Sequence, residues 1–80
     1  MTLSETADLL SIAAGIDQRT IGEADVRAWH MVLNDINFDA AAKALRAHYR
    51  NETRRVLPAD IVRRVKPTYS YEQYADKGIF

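Results

Sequence analysis

The 80-residue chain has no cysteine. That excludes a disulfide framework, a thiolate nucleophile and a thiolate zinc site, and it suits a reducing cytoplasm, where the chain is expected to reside. Glycine and proline are scarce, at 3 and 2 residues, so the composition is neither that of a flexible linker nor that of a fibrous repeat. Long apolar runs are missing: stretches such as Ile12 to Ala14 cover a few residues only, whereas a membrane span needs about 20. No membrane partner is expected. The opening acids, Glu5 and Asp8, are wrong for a signal or transit peptide. Also lacking are a glycine-rich phosphate loop, a nucleophile elbow and a pair of metal-binding histidines at helical spacing, so the reading is non-enzymatic, with no cofactor and no metal.

What is present is the balance of a single globular domain, 48% hydrophobic and 28% charged. A chain this short has too little material for two cores. Its formal net charge is zero, but the charge is unevenly placed. Residues 1–42 hold seven acids against Arg19 and Arg27, a net of −5, and residues 43–67 carry +6, with −1 on the rest. Such asymmetry predicts a molecule with one anion-seeking side.

The hydrophobic spacing predicts an all-α domain over residues 1–66, a small bundle of about four helices, followed by an aromatic C-terminal tail at 67–80. Thr2 and Glu5 have capping-box spacing, which starts a first helix with Leu9, Ile12, Ala13 and Ile16 on its apolar side and Gly15 as its left-handed stop. Thr20 and Glu23 repeat the spacing ahead of a second helix, whose stripe Val26, Trp29 and Leu33 is expected at the centre of the core. Asn34 to Asn37 reads as a polar break. The third helix, Phe38 to about Asn51, carries Phe38, Ala42, Leu45 and Tyr49 on one side. Pro58 suits the first position of a fourth helix with Ile61, Val62 and Val65 as its apolar side, ended by Pro67. No segment alternates apolar and polar residues as a strand would.

Two features could bind partners. The first is basic. At about 100° per residue from Lys43, Arg46 falls near 300°, Arg50 near 340° and Arg54 near 20°, while the apolar set clusters around 230°. This predicts a basic ridge, extended by Arg55 and by Arg63, Arg64 and Lys66 of the fourth helix. Arginine forks onto phosphate or carboxylate, so the ridge is a candidate for nucleic-acid or partner binding, although a solvated face is the ordinary outcome for charged helix residues. Binding of that kind would be non-specific, because the short fourth helix offers Asp60, Arg63, Arg64 and Lys66 without the Asn, Gln or Ser set that commonly reads bases. The second feature is the tail, in which Tyr69, Tyr71, Tyr74, Ile79 and Phe80 could anchor a partner or simply pack or fray. His30 and His48, with Asp35 or Asp39, could hold a metal only between facing helices, and hydrogen-bonded histidines are the commoner outcome.

The run RTIGEADVRAWHMVLNDINFDAAAKALRAHY, with Trp29, Leu33, Phe38, Ala42 and Tyr49, and the later RRVLPADIVRRVK together resemble the N-terminal domain of phage replicative-helicase loader and inhibitor proteins, of the type found in actinobacterial phages. The resemblance covers residues 1 to about 66. It implies a non-enzymatic DNA-replication adaptor with a helical head and a C-terminal segment that contacts the replicative helicase. The tail residues would face that helicase, and the head would meet an origin-binding protein or DNA through the arginine ridge.

Overall fold

The structure, a computed structural model, describes residues 1–66; the tail expectations at Tyr69, Tyr71, Tyr74, Ile79 and Phe80 lie outside the described residues. Four helices follow one another: α1 (Leu3–Asp17), α2 (Glu23–Leu33), α3 (Phe38–Asn51) and α4 (Pro58–Val65). Among the described residues there is no strand, and the domain is all-α. Among the described residues no helix is long and apolar enough to cross a membrane. Packing links α1 to α2 and α3, and α4 to α2 and α3, so each helix touches two others around a shared core.

Local chemistry sets each helix start. Thr2 Oγ1 accepts from the Glu5 amide at 3.0 Å while the Glu5 carboxylate accepts from the Thr2 amide at 2.9 Å, the reciprocal cap expected from the spacing. α2 begins later than expected: Gly22 is the N-cap, and Asp25 rather than Glu23 reaches back, its Oδ2 accepting from the Gly22 amide at 2.7 Å. Asn37 caps α3 by accepting from the Ala40 amide at 2.7 Å. Pro58 is the first residue of α4, and Asp60 accepts from the Leu57 amide at 2.8 Å.

The end of α1 differs from the expectation. Gly15 sits inside the helix, and Gln18 takes the left-handed conformation, with φ 64° and its amide bonded to the Ala14 carbonyl. The apolar frame of α1 is also displaced. Thr6, Leu9, Leu10 and Ala13 are buried, while Ile12 and Ile16 are 45% and 50% exposed. Both quartets have i, i+3, i+4, i+7 spacing, and Thr6 disguised the true one; its hydroxyl donates to the Thr2 carbonyl at 2.9 Å, which removes the penalty of burying it.

The core is formed by Leu9, Leu10, Ala13, Trp29, Leu33, Ile36, Ala41, Ala44, Leu45, Val56 and Ile61. Ile36 overturns the reading of Asn34 to Asn37 as purely polar: the break supplies a buried plug. On α3 the buried residues are Ala41, Ala44, Leu45 and His48, with Phe38, Ala42 and Tyr49 at the margin. In the angular frame used for the ridge, that buried set centres near 150° rather than 230°. The displacement places Lys43, Arg46 and Arg50 almost opposite the core.

Candidate anion-binding face

A polar cluster ties α3 to the end of α1. Asp17, whose side chain is 6% exposed, accepts from Arg19 Nε at 3.0 Å and Nη2 at 2.6 Å and from the Tyr49 hydroxyl. Arg19 also donates to the Val56 carbonyl at 2.7 Å and lies 5.2 Å over the Trp29 ring. Tyr49 accepts from the Val56 amide at 2.9 Å. One carboxylate therefore joins the end of α1 to α3 and, through Arg19, to the segment before α4. The Arg19 guanidinium, helped by the Tyr49 hydroxyl, holds the Asp17 carboxyl down at about 2 despite its burial. Burial first, and then the Asp17 carboxylate, push the Tyr49 phenol up.

A second buried acid organises α4. Asp60 is 5% exposed, where the sequence placed it on the solvent side. It accepts from Arg54 Nη1 and Nη2 at 2.9 and 2.5 Å and from Arg63 Nη2 at 2.6 Å. Arg54 is the main cause of a carboxyl held well below the usual carboxylate range, and the Leu57 amide adds to it. The ridge expectation for Arg54 thus needs correction. α3 ends at Asn51, and Arg54 turns back onto Asp60 instead of continuing the helical line. The anchor is reinforced by His48, which is buried and whose Nε2 donates to the Arg54 carbonyl at 2.8 Å.

The remaining bases divide cleanly. Lys66 Nζ pairs with Asp35 at 2.9 Å, and Arg64 approaches Glu52 at 3.9 Å. Among the described residues, Lys43, Arg46, Arg50 and Arg55 form no ion pair. Lys43, Arg46 and Arg50 border one shallow hollow with Ala47. Next to it, sharing Lys43 and Ala47, a furrow of 610 Å³ runs between α3 and α4. Its surface includes Ala40, Ala44, Ala47 and Val65, with Lys43, Arg63 and Arg64 along it and His48, Glu52, Arg54 and Asp60 also lining it.

Of the eight predicted basic residues, Lys43, Arg46, Arg50, Arg54, Arg63 and Arg64 therefore border one continuous surface, and Arg55 and Lys66 line neither part of it. Sequence reasoning missed the alanine lining and the organising role of Asp60. The second was signalled by Leu57-Pro58-Ala59-Asp60, where proline at the first helical position puts the acid at the capping position. No group of three or more metal-ligating side chains occurs among the described residues; His30 Nε2 is bonded to the Met1 carbonyl at 3.0 Å.

Comparison of the chain with protein-family models, curated proteins and solved structures gave no match.

Proposed function

We propose that this protein acts by binding rather than by catalysis, and that Lys43, Arg46 and Arg50 hold the phosphate backbone of a nucleic-acid strand without reading its sequence. The observation that supports this is their lack of any acidic partner on a ridge facing away from the core. Cations in such a position keep their hydration and mobile counterions until a polyanion displaces them, and the released counterions drive association. Arg50 and Lys43 are seven residues apart, about 10 Å along the helix, which spans a few phosphates of one strand. No base-reading set accompanies them, so the contact positions the protein and leaves sequence unread.

The test is fluorescence anisotropy with a labelled DNA oligonucleotide. For about three phosphate contacts, affinity should fall roughly 40-fold between 50 and 200 mM salt, and each Gln replacement at Lys43, Arg46 or Arg50 should lower the salt slope by about one. Absence of binding at the lower salt would remove this reading.

The second reading is the replicative-helicase loader or inhibitor adaptor implied by the resemblance. The alanines and Val65 of the furrow beside the ridge favour it, because a phosphodiester strand gains nothing from apolar side chains whereas a protein segment does.

A further inference from the structure

The furrow between α3 and α4 has the form of a helix-packing groove with no helix in it. Ala40, Ala44 and Ala47 stand at i, i+4 and i+7 on α3, so the α3 side of the surface is small and apolar along about 10 Å of helix. Small side chains let another helix approach closely, and a volume of 610 Å³ accommodates several side chains from its apolar stripe. The charge around this surface is net positive, with Lys43, Arg54, Arg63 and Arg64 set against Asp60 and Glu52. Asp60 is already matched by Arg54 and Arg63. Lys43 forms no ion pair, although Asp39 stands one turn before it on α3, and Arg64 lies 3.9 Å from Glu52, which also lines the furrow. No Trp, Tyr or Phe lines the furrow, so it lacks the stacking platform by which proteins grip the bases of a single strand.

We propose that this furrow is the docking site for an acidic amphipathic helix of a partner protein. The apolar stripe of that helix lies on the α3 alanines and Val65, and its flanking Glu or Asp side chains meet Lys43 on α3 and Arg64 on α4. This is helix-in-groove recognition, with apolar burial supplying affinity and the two flanking cations selecting an acidic partner over a basic one. It shares Lys43 with strand binding, whereas Arg46 and Arg50 border the neighbouring hollow and not the furrow.

The probe is an end-blocked helical peptide of about 18 residues with Leu at three- and four-residue spacing and Glu on both flanks, compared with the same peptide carrying Lys for Glu. Anisotropy titrations with the full chain should give micromolar binding of the acidic peptide and at least about tenfold weaker binding of the basic one. Arg64→Glu and Ala47→Trp should each weaken the acidic peptide about tenfold while DNA binding changes much less under Ala47→Trp. Arg46→Gln with Arg50→Gln should weaken DNA and leave the peptide within about twofold. Circular dichroism checks folding; Arg64 lies on a helix surface, so Arg64→Glu carries the test if Ala47→Trp does not fold. Equal binding of the two peptides, or no effect of Arg64→Glu, overturns the proposal. So does loss of DNA rather than peptide affinity on Ala47→Trp, which would assign the furrow to the strand, or self-association that the acidic peptide displaces, which would assign it to a second copy. Failure of DNA binding alone, with the peptide results as expected, would remove the strand reading and leave this one standing.

Discussion

Arg19 and Arg50 sit on either side of the same helix-packing problem and have opposite surroundings. Arg19 is 13% exposed, grips Asp17, caps the Val56 carbonyl and covers Trp29. Arg50 is exposed, like Arg46, and among the described residues neither forms an ion pair. The first kind of arginine is part of the fold: its charge lies where desolvation is costly, so it persists only because a carboxylate and a carbonyl receive it. The second kind contributes little to folding and remains available to an outside anion. Arginine content alone therefore says little about binding; the distribution of acids around each guanidinium decides it.

The largest expected effect separates the two kinds directly. Asp17→Ala leaves Arg19 and the Tyr49 hydroxyl without their common acceptor in a mostly buried site, and should cost about 3 kcal/mol in denaturant unfolding. A loss below about 1 kcal/mol would mean that water reaches the cluster and that Arg19 resembles Arg50 after all.

A smaller change sharpens the same contrast through pH. Because the folded carboxyl of Asp17 is held at about 2, below its value in the unfolded chain, its stabilisation is fully present above about pH 4 and is lost as pH falls through the folded value. Tyr49→Phe removes a donor to Asp17 and the acceptor of the Val56 amide. It should cost about 1 to 2 kcal/mol near neutrality, and raise the Asp17 titration point, so that the acid loss starts at higher pH. Carboxyl chemical shifts followed against pH, with unfolding curves at matched values, measure both. An unmoved Asp17 titration would exclude Tyr49 from the network.

The smallest expected effect is on the ridge. Arg46→Gln with Arg50→Gln should change unfolding free energy by no more than about 0.5 kcal/mol, because neither side chain has a partner to lose. A clear destabilisation would break the contrast by showing that the ridge belongs to the fold.

How much of this could be read in advance varies from residue to residue. Phe38 to Asn51 was legible as a helix because alanine-rich composition and periodicity agree over four turns. The ridge was legible because its spacing needs only helical geometry. Asp60 was legible only as a cap behind Pro58; its burial under Arg54 and Arg63 was not, since an acid between arginines reads as solvated unless the turn that folds Arg54 back is known. The true α1 frame escaped because Thr6 looks polar until its hydroxyl is seen bonded to the Thr2 carbonyl. The furrow escaped for a related reason: alanines on α3 look like helix formers, and only the position of α4 makes them one side of a groove.

The chain by itself determined that there would be four helices, that Thr2 with Glu5 opens the first and Pro58 the last, and that one side would be rich in arginine, because all of these rest on contacts within a few residues. Tertiary structure alone decided which arginines are matched by acids and which are not. Asp17 meets Tyr49 across 32 residues and Arg19 meets Val56 across 37, and no local spacing encodes such distances; only close packing of the helices brings those groups together.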